Sequence, residues 1–225
     1  MKLDKIIRKI YYWLSSLFSK RISATDLYRL LLNFSGVSEQ TICDSNRRCN
    51  GNKCINNSKS KVLEFDGIKR KYAKIHGIIQ PSSVDAMTVH NDRLIFVEFK
   101  SWLSFFEKFH YQHKGLPTTK DVKDQLQRFD FAKKLTDSIQ LCKRIAKNAN
   151  IDNVSYDFVV ITDIETDGIK AIQMRLNLLA LMSSPNVFDQ CNTLTREKVL
   201  NVKVGKKNRT LYKTCREFDS YLKGI

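Results

Sequence analysis

An α/β domain with a mixed central sheet flanked by helices is what the sequence predicts, on three observations. Leu94 to Phe99 is an apolar run of strand length, and Tyr156 to Ile164, YDFVVITDI, is a second. Such runs read as strands covered on both faces. Between them, from about Asp121 to Asn148, the residues Val122, Leu126, Phe129, Leu135, Ile139, Cys142 and Ala146 recur at helical spacing. A strand, a crossover helix and a second strand make a parallel pair.

The other elements are justified in chain order. Ile6, Ile10, Trp13, Leu14 and Leu17 fall on one helical face, so residues 1 to 20 predict an amphipathic helix. A basic start and a short apolar run are also signal-peptide features, but Ser15-Ser16 interrupt the run and Lys20-Arg21 stand where small residues belong. A second helix is expected to begin at Ser23, where Asp26 completes a capping-box pattern, and to end at Gly36. Residues 37 to 61 are polar and without period, an expected loop. Asp66-Gly67 lies between two short apolar-bearing segments and reads as a hairpin turn. Beyond residue 165 the expectations are a helix near AIQMRLNLLALM, a basic hairpin across VLNVKVGKKNRTLYK and a short final helix. Residues 1–60 thus form N-terminal helices and a cysteine-bearing loop, 61–165 the core, and 166–225 a tail that completes the same domain.

Composition bounds the function. A chain of 225 residues with 42% hydrophobic residues can fill a real core. The net charge of +16 and pI near 9.6 make a polyanion the leading partner. No stretch approaches the roughly 18 apolar residues that a membrane span requires. Six irregularly spaced cysteines favour a reducing, cytoplasmic setting over a disulfide framework.

The chemistry is concentrated in SSVDAMTVHNDRLIFVEFKSW. With Asn91-Asp92 at the centre of a hairpin turn, His90 faces Arg93 and Asp85 faces Glu98. Two carboxylates opposite one another repel unless a cation lies between them. Alternation puts Glu98 and Lys100 on one face. Two carboxylates beside a lysine outline a site for Mg²⁺ or Mn²⁺. The same residues also describe a charged strand end on which Lys100 merely neutralises Glu98.

Asp85, then Glu98-Phe99-Lys100 at the end of the apolar strand LIFV, resembles the PD-(D/E)XK nuclease superfamily. The resemblance covers roughly residues 60 to 165 and implies a restriction-endonuclease-like core, hydrolysis of phosphodiester bonds and one or two Mg²⁺ ions. It implies that Asp85, Glu98 and the carbonyl of Phe99 bind metal, and that Lys100 orients or deprotonates the attacking water. Val84 stands where the family usually has proline. Gln125 followed by Phe129 is similar to the Gln-x-x-x-Tyr of RecB-type members, without the hydroxyl; the likeness gives Gln125 a positioning role, whereas Gln127 falls off the apolar stripe. Many relatives carry a further acidic ligand ahead of the sheet, for which Asp26, Glu39 and Glu64 compete.

Other polar groups have two readings each. Cys43, Cys49 and Cys54 are spaced loosely for zinc and lack an evident fourth ligand, His76 being a candidate; loop thiols that bind nothing are the alternative. His110 and His113 have a metal-like interval, against an exposed loop that happens to hold both. Arg47, Arg48 and Lys53, then Lys69, Arg70, Lys71 and Lys74, then Lys206, Lys207 and Arg209 form basic clusters: solvated surface, or phosphate contacts around a nuclease site. The expected function is metal-dependent hydrolysis of DNA, with RNA as the alternative substrate and a homodimer left open. A non-cleaving nucleic-acid binder and a basic peripheral membrane protein are the rivals.

Overall fold

The structure is a computed structural model that describes residues 21–42, 58–147, 149–163 and 185–224. The N-terminal amphipathic helix, the loop holding Arg47, Arg48, Lys53, Cys43, Cys49 and Cys54, and the helix near residues 171–182 lie outside the described residues.

One six-stranded mixed sheet organises the fold, in the order β1 (Gln40–Thr41), β2 (Lys61–Glu64), β3 (Ala86–His90), β4 (Arg93–Lys100), β5 (Tyr156–Thr162), β6 (Arg209–Thr214). The first four pair antiparallel, and β4, β5 and β6 run parallel. Asn91 and Asp92, both with φ near +50°, form the turn between β3 and β4, so His90 pairs with Arg93 as the sequence predicts. The chain reaches β5 from β4 through helices, as the two apolar runs require.

Each sheet face has its own core. Met87, Leu94, Phe96, Phe158 and Val160 pack under helices, with Leu27 and Leu31 of α1 (Ala24–Ser35) and Leu135 and Leu141 of a later helix. Ala86, Ile95, Val97, Phe99, Val159 and Ile161 pack on the other side with Phe218. The two-residue period of a strand therefore puts Glu98 and Lys100 on the face of Leu94 and Phe96. α1 begins at Ser23, whose hydroxyl accepts from the Asp26 amide, and ends at Gly36 with φ +69°. Among the described residues no helix is long and apolar enough to cross a membrane.

Four sequence expectations are corrected. Asp66-Gly67 is not a hairpin turn; it opens helix α2 (Phe65–His76), whose Phe65, Ile68 and Ala73 face the core and whose Asp66 pairs with Lys69 at 2.6 Å. Helical spacing outweighs the turn dipeptide. His110 and His113 sit not in a loop but in the last turn of α3 (Trp102–His113), capped by Ser101, whose hydroxyl accepts from the Ser104 amide. The long crossover helix is two, α4 (Thr119–Gln127) and α5 (Phe131–Ala146), because Asp130 caps a new start by accepting from the Lys133 amide. The basic hairpin does not form: Val199 and Leu200 end helix α6 (Pro185–Leu200), and the single strand β6 follows, leading into α7 (Cys215–Lys223).

Candidate active site

The site is built at the C-terminal end of β4. Ala86 pairs with Val97, which sets Asp85 beside Glu98 where β3 begins. Asp85 is held from both sides: its N–H donates to the Val97 carbonyl of β4 at 3.0 Å and its carbonyl accepts from the N–H of Phe65, the first residue of α2, at 2.9 Å. Its side-chain Oδ2 accepts from the Phe99 N–H at 2.8 Å. The carboxylate thus takes over a backbone role at the strand end while Oδ1 faces the Lys134 ammonium at 3.7 Å.

Glu98 is fully buried. Its Oε1 accepts from Lys100 Nζ at 2.5 Å and from Lys134 Nζ at 2.6 Å. Its Oε2 is buried with no hydrogen-bond partner among the described residues. Burial, reinforced by the Asp85 charge, pushes the Glu98 carboxyl above the usual carboxylate range, and the two lysines oppose that. An orphaned carboxylate oxygen in a dry site is costly unless a cation meets it.

Lys134 of α5 is a member of the site that the motif does not name. Its Nζ lies 2.6 Å from Glu98 Oε1 and 3.7 Å from Asp85 Oδ1, so one ammonium stands between the two carboxylates. Burial works against the charge on Lys134, but Glu98 and Asp85 overrule it and raise its pKa. Ser138, one turn along α5, fixes this placement: it accepts from the Val84 N–H at 3.0 Å and donates to the Lys134 carbonyl at 2.8 Å. Proline at position 84 would have no N–H to donate, which gives the valine a physical reason. The sequence carries only half of the signal for Lys134: it lies on the Phe131, Leu135 and Ser138 side of an amphipathic helix, where a lysine needs a partner, but nothing along the chain names that partner.

Lys100 Nζ lies 4.4 Å from the centroid of the Phe129 ring, a cation–π contact. Lys100 and Gln125 both line a cleft of about 450 Å³ between α3 and α4; Gln127 is exposed and outside it. Of the competing acids, Asp26 is at the far end of the sheet, in the first turn of α1, whose Thr25 N–H donates to Asp92 of the β3–β4 turn. Glu39 accepts from the Tyr28 hydroxyl. Glu64 ends β2 next to Ala86 and is the one closest to Asp85 in the sheet, with Asp66 following on α2. Among the described residues, no three Asp, Glu, His or Cys side chains form a group able to hold a metal. The chain thus offers two carboxylates, and the buried, unpartnered Glu98 Oε2 beside Asp85 fits a hard cation that keeps most of its waters. His76 stacks on Tyr72 at 4.2 Å.

The C-terminal basic cluster is elsewhere. Lys206, Lys207 and Arg209 lie at the start of β6, and Arg93 Nη2 donates to the Lys207 carbonyl at 2.9 Å, so they sit at the N-terminal end of the parallel strands. A strand length of about 20 Å separates them from Lys100. Arg209 pairs with Asp157 at 2.6 Å, joined there by Arg93 and Tyr221. It covers the buried Asp157 carboxylate from the solvent side, a structural role that sequence proximity to two lysines does not show. Asp163, at the end of β5, caps α3 by accepting from the Ser101 hydroxyl and the Trp102 and Leu103 amides; burial pushes it up to about 6.

No family model matches the chain, and neither the curated proteins nor the solved structures compared with it give a match.

Proposed function

We propose that the protein is a metal-dependent phosphodiester hydrolase acting on nucleic acid, DNA first, with a restriction-endonuclease-like core. The observation that carries the reading is the Asp85–Glu98 pair at the end of a hairpin, sharing one ammonium and leaving a buried carboxylate oxygen unpartnered. Asp85 and Glu98 would hold Mg²⁺ or Mn²⁺, with the Phe99 carbonyl a further ligand by likeness to the family. The ion, when bound, supplies Lewis-acid polarisation of the phosphate.

The chain's own residues do the rest. Lys100 stands beside Glu98 and opens on the cleft, so its Nζ can orient the attacking water and steady charge growing on the phosphate oxygens. Phe129 under the ammonium keeps bulk water from that side. Gln125 lines the same cleft and positions substrate. Lys134 holds the two carboxylates together before a metal ion enters and is free to meet a phosphate oxygen afterwards.

A second reading has one observation in its favour: two lysines already neutralise Glu98, as a purely structural ion cluster in a non-cleaving nucleic-acid binder would. Incubating the purified protein with linear, supercoiled and single-stranded DNA and with RNA, in Mg²⁺, Mn²⁺ or EDTA, separates the two. Cleavage that requires the metal supports hydrolysis; binding without cleavage of any substrate supports the rival.

A further inference from the structure

The cleft beside Lys100 carries more than a catalytic ammonium. α3 starts one residue after Lys100's neighbour Ser101, and helical spacing puts Phe105, Phe109 and His113 on one face at one ring per turn. All three line the cleft. The Phe105 and Phe109 centroids are 6.0 Å apart, and Phe109 and His113 are 4.4 Å apart at 38°. Both phenylalanines are only half-buried, so each keeps ring surface towards the cleft. Lys108 of α3 and Arg128 after α4 line the same space and are exposed, with no ion pair to another described residue. Two acids also line it: Asp121, whose Oδ2 accepts from the Thr118 amide and hydroxyl at 2.8 and 2.7 Å, and Asp124, which is exposed, so the two cations Lys108 and Arg128 are joined by Lys100 in outweighing them.

A row of aromatic rings flanked by free cations and ending at a lysine is chemistry for bases and phosphates together. Aromatic rings take bases through their faces, and base faces are accessible only where a strand is unpaired. A duplex buries them in its own stack and offers phosphates and groove edges. The volume of about 450 Å³ is on the scale of a small-ligand site and not of a duplex segment. We infer that the cleft between α3 and α4 binds unpaired nucleotides of a single strand, with bases stacked on Phe105 and Phe109 and phosphates on Lys108 and Arg128, leading the strand to Lys100. The inference rests on the nuclease reading for what happens at Lys100, but the binding mode can be tested without any chemistry.

The experiment is fluorescence anisotropy with a dye-labelled single-stranded oligonucleotide in EDTA, against a blunt duplex of the same length. Wild type should bind the single strand more tightly than the duplex. Phe109→Leu keeps the apolar packing and removes the ring, and should weaken single-strand binding about 5- to 150-fold while duplex binding changes less than about twofold. Phe109→Trp should retain single-strand affinity and show quenching of the new indole on binding. Lys108→Ala with Arg128→Ala should flatten the salt dependence by roughly one unit of slope for each phosphate that is no longer neutralised. A wild-type preference for duplex, or single-strand affinity unchanged in Phe109→Leu with an unaltered melt, overturns the inference. Either result leaves metal-dependent cleavage to be decided separately, and absence of cleavage in wild type leaves the stacking result standing.

Discussion

Replacing Lys134 with methionine removes the ammonium between Asp85 and Glu98 but keeps the length of the side chain. In the metal-free protein, Nζ makes a charge-assisted hydrogen bond of 2.6 Å to a fully buried carboxylate. Bonds of that kind contribute about 1.5–3 kcal/mol. The lysine side chain is 27% exposed and Lys100 remains on the same oxygen, so the low end applies, about 1.5 kcal/mol. For a domain of this size that lowers the melting temperature by about 3–6 °C in EDTA. The same ammonium must leave its place when a divalent ion joins the two carboxylates. What it contributes to the free protein is therefore lost from metal affinity, and Lys134→Met should bind Mn²⁺ roughly tenfold more tightly. Thermal melts in EDTA and across a MnCl₂ titration, with isothermal titration as a second readout, measure both quantities on one sample. The variant starts less stable and gains more from metal than wild type does. An unchanged melt in EDTA together with unchanged Mn²⁺ affinity would refute the placement of Lys134 between the carboxylates.

Three further outcomes follow from the geometry. Arg209→Ala should cost about 1–2 kcal/mol by withdrawing one of the donors on buried Asp157 while leaving cleavage by the folded protein intact; wild-type melting with weakened DNA binding would return Arg209 to the substrate surface. Burial raises Asp157, but hydrogen bonds from Arg209, Arg93 and Tyr221 overrule it and hold the group at about 2, below its usual value. A depressed carboxyl stabilises above the unfolded value and loses that stability as pH falls through the folded one, so about 2 kcal/mol should disappear between pH 4 and 2, and Asp157→Asn should flatten this limb of a urea-melt series. Val84→Pro supplies the residue usual in the resembling motif, yet should destabilise by about 1–3 kcal/mol, because Ser138 loses the N–H that ties α5 to the sheet; equal denaturant midpoints would contradict that.

The sheet was the legible part of the fold. Leu94–Phe99 and Tyr156–Thr162 lie in the interior of the sheet and, apart from Glu98, Asp157 and Thr162, are apolar, so composition alone marks them as strands. The Asn91-Asp92 turn fixes register by counting, and that placed Asp85 against Glu98. The misread elements share one cause. Asp66-Gly67 and the Asp130 cap are local signals whose meaning depends on which face packs: a turn dipeptide opens a helix when Phe65, Ile68 and Ala73 find a core. Lys134 was hidden because its partners are 36 and 49 residues away in sequence and it meets them only once α5 is docked through Ser138. Arg209 has a structural partner that stayed unseen for the same reason: its side chain is 53% exposed, as a basic cluster suggests, but the carboxylate it pairs with comes from β5, the neighbouring strand.

The central claim is that Asp85, Glu98 and Lys100 carry out metal-dependent phosphodiester cleavage, and Lys100→Ala tests it most directly. Cleavage of labelled single-stranded and duplex DNA in Mg²⁺ and Mn²⁺ is measured alongside melting and Mn²⁺ binding on the same preparations. A lysine acting in the transition state predicts a loss of about 100-fold or more in rate, with Mn²⁺ and DNA binding retained and Lys134 still neutralising Glu98. Cleavage at the wild-type rate in a Lys100→Ala protein, or cleavage by wild type that persists in EDTA, would contradict it.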